Sequence, residues 1–286
     1  MKHRTALFLV CALCCAALTS QAMAGGPYTL RFGLQQGKTY LYADVVHADV
    51  TQEMMGQEMK SATISTSLSR LVIEKSGADG ISAITSLDSM TVSVKNARMD
   101  TTMVMPDLLG KRSRIVLSPL GRVLSKAVID TVGKAGSPMR GASARDAMRV
   151  HVFPEAPVAA GGTWTGVIAD TNEAMGGKIV TVSTLTYTLA GEEQKAGRAC
   201  VKITYAGTMA VEGKGSMMGA EIFTEGKGTV SGVLHFDAAA GVTVADESRM
   251  ETDMTAAITG AQNMTMPIST VGSSARTLRA VLDTAH

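Results

Sequence analysis

The sequence predicts a mostly β protein: two related antiparallel β units, curved sheets or half-barrels, joined by a short helical or irregular connector. Three observations predict it. Long runs alternate polar and apolar residues, as in KSATISTSLSRLVIEKS over 60–76 and ISAITSLDSMTVSVK over 81–95. That is the period-two pattern of a strand with one sheltered face. Gly-containing turns punctuate these runs, as in SGADG over 76–80, where glycine supplies positive φ. Val, Ile and Thr supply β-branched residues even though aromatics are only 4% of the chain.

The chain opens with a targeting pattern. Lys2, His3 and Arg4 precede an apolar stretch over 6–18, and Ala22-Met23-Ala24 is a small-x-small cleavage site. The apolar stretch is short for a bilayer span. Residues 1–24 are therefore expected to be a signal peptide cleaved after Ala24, with a periplasmic or secreted product.

Residues 25–125 read as the N-terminal β unit. Tyr28–Phe32 alternates and reads as a strand, Gly37-Lys38 as a turn, and 39–50 as a strand with Tyr40, Tyr42 and Val46 on one face. Met54-Met55-Gly56 reads as a hairpin tip. In 58–76, Ile64, Thr66 and Leu68 share one parity and Leu71 and Ile73 the other, which predicts a bulge or bend near Ser69-Arg70. In 81–95, Met90, Val92 and Val94 share a face. Arg114–Ser118 and Arg122–Leu124 form a hairpin around Pro119-Leu120-Gly121.

Residues 126–160 break the pattern and read as the connector. Ser143–Val150 is the helix candidate, with Ser143 and Asp146 at capping-box spacing. Residues 161–286 read as the C-terminal β unit. Its strands fall near 163–169, 178–189, 198–211, 220–236 and 242–258, with a closing strand over 263–271. Arg276–Leu282 reads as a short terminal helix or a frayed end. Two matches suggest an internal repeat. Gly37-Lys38-Thr39-Tyr40 parallels Gly161-Gly162-Thr163-Trp164, and Leu68–Gly80 parallels Leu185–Gly197.

Charge argues against a nucleic-acid partner. Loss of residues 1–24 removes Lys2 and Arg4 and no acid, so 27 basic against 25 acidic residues becomes 25 of each. No later stretch is apolar enough for a membrane-spanning helix. Cys200 is the one cysteine left, so no intrachain disulfide is expected, and its apolar neighbours suit a buried thiol.

The sequence holds no nucleophile elbow, zinc-protease helix, Walker loop or dinucleotide-binding glycine pattern. His47 and Asp49 can share a strand face, but two ligands do not close a metal site. No catalytic residue, metal site or cofactor is expected, and the protein reads as a non-enzyme. An enzyme reading would need carboxylates and His47, His151 or His235 to converge in a pocket.

Methionine is over-represented. Seventeen of 19 remain after Met1 and Met23 are lost. They could fill a β core, line an adaptable apolar cavity for a lipid-like ligand, or bind copper(I) through thioethers. The candidate ligand-binding residues are Met90, Val92, Met103, Met105, Met209, Met264 and Met266.

Gly37–Tyr42 (GKTYLY), Thr51–Gln57 (TQEMMGQ) and Phe153–Trp164 (FPEAPVAAGGTW) together resemble a family of uncharacterised bacterial secreted proteins sharing a β-rich domain of unknown function. The resemblance implies no activity and no catalytic residues. The expected function is an exported, non-enzymatic β protein that binds a hydrophobic or lipid-like ligand in the cell envelope. The alternative is an envelope scaffold that uses exposed strand edges to hold a protein partner.

Overall fold

The computed structural model describes residues 26–54, 56–130, 150–174, 177–217, 220–260 and 263–284. Nearly all of them lie in one antiparallel sheet. Its strands are β1 (Lys38–Met54), β2 (Gln57–Gly77), β3 (Gly80–Asn96), β4 (Asp100–Val104), β5 (Ser113–Leu117), β6 (Val123–Val128), β7 (Thr163–Ala174), β8 (Gly177–Lys195), β9 (Arg198–Met217), β10 (Ala220–Asp237), β11 (Val242–Thr259) and β12 (Met264–Asp283). A 3-10 turn, Pro106–Leu108, follows β4.

The strand order is β6-β5-β3-β2-β1-β12-β11-β10-β9-β8-β7, and β4 pairs with β3 beside β5. Sequential neighbours therefore pair almost throughout, and the last strand closes onto the first. The result is an up-and-down ring cut open between β6 and β7, a curled half-barrel. Strands β1–β6 and β7–β12 form the two halves of this single sheet. They join along β1 and β12, with Lys38 opposite Asp283 and Gln52 opposite Ile268.

The core sits at one end of the strands. Tyr40, Leu71, Ile73, Ile81, Leu117, Leu189, Ile203, Leu234 and Phe236 are buried there. Two extended segments fill this end from inside, 28–34 through Leu30, Phe32 and Leu34 and 150–158 through Val152, Phe153 and Val158. Phe32, Phe153 and Phe236 meet with ring centroids 4.5–5.7 Å apart, within the favourable aromatic range. Gly121 (φ +83°) makes this packing possible, since a Cβ there would lie 2.0 Å from the His151 carbonyl oxygen.

Several expectations change. Arg276–Leu282 is neither helix nor frayed, because β12 runs through it to Asp283 and pairs with β1 on one side and β11 on the other. Tyr28–Phe32 is not a strand of the sheet. It is an extended plug with one bridge, Tyr28 to Val158. The irregularity expected near Ser69-Arg70 is present as a shift of the β2–β3 register between Leu68 and Ser69, while pairing with β1 is unbroken from Val72 to Gln57. Leu71 and Ile73 face the core, whereas Ile64 and Leu68 face out. The extra residue at this level is Asp88 on β3, whose carboxylate accepts two bonds from Arg70, at 3.0 and 2.7 Å. The signal peptide and residues 143–149 of the connector helix lie outside the described residues.

The first repeat match has a geometric counterpart. Gly37 and Gly161 both have positive φ, and the residue three positions on, Tyr40 or Trp164, packs into or against the core.

Candidate functional site

Cross-strand register assigns every side chain to a face, because directly opposed residues point the same way. One row runs Val92–Ser65–Val46–Ser274–Ser248–Gly232–Tyr205–Tyr187–Trp164. It lies on the same face as the buried core residues Tyr205 and Tyr187. Three further rows follow toward the strand tips: Val94–Thr63–Ala48–Gly272–Met250–Val230–Gly207–Leu185, then Ser61–Val50–Thr270–Thr252–Gly228–Met209–Ser183, then Met59–Gln52–Ile268–Met254–Gly226–Val211–Thr181. This inner face continues the core surface beyond the plug as a trough.

The trough is sheltered by curvature. Along β9 its residues are buried or half-buried, and the intervening Ala206, Thr208, Ala210 and Glu212 are exposed. Glycine makes the curl possible on β9 and β10. A Cβ at Gly207 would lie 1.9 Å from the Thr184 carbonyl oxygen, and one at Gly226 would lie 2.4 Å from Met254 Cγ. Glycine in a strand interior marks such close approaches.

Chemistry separates the two faces. Met54, Met59, Met90, Met103, Met209, Met250, Met254, Met264 and Met266 all take inner-face register, and among the described residues no strand methionine faces out. Beyond the Asp44 level, the inner face of β1–β4 and β8–β12 carries no charged side chain among the described residues. The outer face of the same strands carries Glu53, Glu58, Lys60, Lys178, Glu212, Lys214, Glu225, Lys227, Glu251 and Asp253. Five of those acids and Lys227 line a shallow outer groove of about 650 Å³ near the strand tips.

A buried polar group closes the trough at the core end. Arg276 donates to Asp44 at 2.7 and 3.2 Å, and Ser69 Oγ donates to the same carboxylate at 3.0 Å. Register places Asp246 directly beside Arg276. Asp246 accepts the Tyr205 hydroxyl at 2.8 Å, and His151 Nε2 lies 3.3 Å from its other oxygen. Burial drives the Tyr42 and Tyr187 hydroxyls upward, so both stay neutral. Trp164, the only tryptophan, stacks on Tyr187 with centroids 5.2 Å apart and donates to the Val152 carbonyl at 2.8 Å.

The cut in the ring has apolar lips. Val104, Leu124, Val128, Ile129 and Val167 are exposed along the edges formed by β4, β6 and β7. Lys126 of β6 and Asp170 of β7 form an ion pair across the gap.

Six of the seven residues singled out from the sequence take inner-face register, and Met105 lies just past β4. Met90, Val92 and Met103 adjoin on β3 and β4, and Met90 and Met105 pack with the buried Leu87 and Leu108. Met264 and Met266 lie on β12 and Met209 on β9, on the other limb. Met250 and Met254, which lie on β11 between β12 and β10, were missed. Their alternation with Thr252 and Ala256 was the available signal. His47 and Asp49 point outward. Cys200 is buried, and burial raises its thiol pKa away from reactivity. Among the described residues no three His, Cys, Asp or Glu side chains group as a metal site would require, and no helix is long and apolar enough to cross a membrane.

No family model and no curated protein matches the chain. Solved structures give distant likenesses. Lipovitellin, described for its lipid–protein interactions, aligns at 8% identity over 88% of this chain and 26% of that chain, with a TM-score of 0.46. An outer-membrane channel from Pseudomonas putida F1 aligns at 9% identity over 87% and 98% of the two chains, with a TM-score of 0.30. Pseudomonas aeruginosa OpdQ aligns at 5% identity over 85% and 99%, with a TM-score of 0.27. This chain thus spans about a quarter of the lipovitellin chain.

Proposed function

We propose that this chain is an exported, non-enzymatic β protein that holds a hydrophobic or lipid-like ligand against its inner face in the cell envelope. The observation that carries the reading is the separation of the two faces. Methionine side chains and, among the described residues, the absence of charge mark the inner one beyond the Asp44 level, and acids and lysines crowd the outer one. Methionine is flexible and polarizable, which suits an adaptable apolar surface. A transmembrane barrel needs the opposite pattern, an apolar band facing out. Lys60, Lys214 and Lys227 face out instead and interrupt any such band, although Ile64, Val180, Val182, Phe223 and Val271 are also exposed there.

Native mass spectrometry of protein purified from an envelope fraction, followed by organic extraction, tests the proposal. A stoichiometric lipid-like adduct is expected. Met103→Ser combined with Met105→Ser should weaken its retention. Full retention in that variant would remove β4 from the site, and a bare polypeptide mass after gentle purification would count against a ligand.

A second reading rests on the β7 edge. Residues 163–169 of that strand carry no charge and pair on one side only, with β8. Such an edge accepts another strand. A scaffold of this kind would yield a crosslinked partner at β7 and leave the inner face empty.

A further inference from the structure

Resting on the ligand reading above, we propose that the cut between β6 and β7 is the port through which the apolar ligand enters and leaves the trough, and that the Lys126–Asp170 ion pair is the latch that sets its exchange rate. The first ground is where the pair lies. Lys126 stands opposite Ile115, a core residue, and Asp170 stands opposite Thr181, the last member of a trough row. Both side chains therefore take inner-face register, and their contact crosses the cut on the trough side. Asn172 Nδ2 donates to the other Asp170 oxygen at 3.1 Å and steadies the carboxylate. Ile168, two residues before Asp170 on the same face of β7, packs against the core.

The second ground is what holds the cut. Among the described residues β6 and β7 exchange no backbone hydrogen bonds, because they end the strand order on either side. Each neighbouring pair within that order is joined by a ladder, which opens only by unpairing backbone. Parting β6 from β7 instead breaks side-chain contacts such as the latch, and a partly exposed ion pair is weak. The third ground is the lips. Among the described residues the three most exposed large apolar side chains are Val104, Val167 and Leu124, at 64%, 59% and 55%, and they lie on the three strands that border the cut. Concentrated apolar exposure marks a contact surface or a ligand route. At the strand tips an arriving apolar chain would pass Glu53, Glu58, Glu212, Glu225 and Asp253, whose hydration it would have to disturb.

The test follows exchange of the uncharged fluorescent probe phenylnaphthylamine with the full mature protein by stopped flow. Lys126→Met removes the latch and should quicken uptake and release together, about two- to fivefold, the range that a partly exposed ion pair supplies. Salt should quicken exchange in the native protein by screening the pair and leave Lys126→Met unmoved. Lys126→Cys combined with Asp170→Cys lets a short bis-maleimide bridge the cut, over a span that a disulfide need not fit. Cys200 is buried away from the reagent. With probe loaded beforehand, bridging should slow release at least about tenfold relative to the same protein unbridged. Equal release in the two forms would overturn the port and leave the ligand reading standing, with entry at the strand tips. A change in release without one in uptake in Lys126→Met would mean that the lysine holds the probe itself, and would overturn the latch. Failure of the probe to bind the native protein would overturn the ligand reading, and this inference with it.

Discussion

Arg276 and Asp44 are buried partners separated by 232 residues, with the guanidinium 2.7 Å from the carboxylate across the β12–β1 pair. The guanidinium also lies over the Tyr42 ring, 5.2 Å from its centroid. The contact joins the two limbs of the sheet where they meet. Removing one member of such a pair strands the other without solvent. Arg276→Met should destabilise the protein by about 3–5 kcal/mol. Adding Asp44→Leu should recover part of that loss, with Asp246 still holding the Tyr205 hydroxyl. Urea unfolding of the two variants checks both statements. A loss under about 1 kcal/mol for Arg276→Met would mean the pair is not buried as described.

The curl depends on backbone approaches that tolerate no side chain. Gly207→Ala puts a methyl carbon where only 1.9 Å separates it from the Thr184 carbonyl oxygen. Backbone on a paired strand cannot yield as a flexible side chain can. The substitution should cost about 1–3 kcal/mol, whereas Gly77→Ala, in open space at the end of β2, should have little effect. Thermal unfolding of the two variants side by side provides the comparison.

His235 makes stability depend on pH. It is buried, and burial is the main cause that lowers its pKa from the ordinary 6.5, with Lys195 adding to the effect and Glu193 opposing it. The unfolded chain therefore takes up a proton that the folded one resists. Stability from this group is complete above the unfolded value and falls as pH drops below about 6.5 toward the folded value. Unfolding midpoints should decline across that interval, and His235→Gln should flatten the decline. An identical slope in the variant would assign the dependence to other groups.

The inner and outer faces should respond differently to loss of apolar surface. Met254→Ser removes a half-buried side chain from the trough wall, and Phe223→Ser removes a larger, exposed one from the opposite face of β10. The first should weaken binding of an apolar fluorescent probe about two- to fivefold, in line with partial loss of one buried side chain. The second should leave probe affinity unchanged. Equal effects would mean the probe does not choose between the faces.

Lys126 and Asp170 hold the lips of the cut together, yet both are partly exposed. Lys126→Ala should change global stability by less than about 1 kcal/mol. Hydrogen exchange along β6 and β7 should nonetheless quicken. No change in exchange at either strand would show that the pair does not restrain the opening.

Much of this architecture is legible in the sequence, strand by strand. Alternation marks the hairpins, and the parity of Met90, Val92, Met103, Met264 and Met266 places each on the inner face of its own strand. What alternation lacks is any statement about partners. Nothing local says that β12 lies beside β1, so the Asp44–Arg276–Asp246 row stayed hidden. The stretch over 276–282, RTLRAVL, contains good helix formers with apolar residues three and four apart. Two flanking strands override that preference by supplying hydrogen-bond partners on both edges. In β2, Leu68 and Leu71 carry the same kind of side chain to opposite faces. Parity located the irregularity beside the Leu68/Ser69 register shift, but only the pairing shows that the extra residue, Asp88, lies on β3.

Closing the ring at β1–β12 sets the order in which the protein can be completed. Synthesis runs from the N-terminus, so β1 is made early and one of its two edges waits for the final strand. Until then the first limb ends in a bare row of backbone donors and acceptors, and Asp44 has no cation. Pairings this remote in sequence form slowly, and unfinished edges invite pairing with other chains. A polypeptide truncated before β12 would keep the other hairpins, lose the β11–β12 one, and lose the strand that unites the two limbs. β12 thus acts as a fastener, since the two limbs join only once Met264–Asp283 has been made.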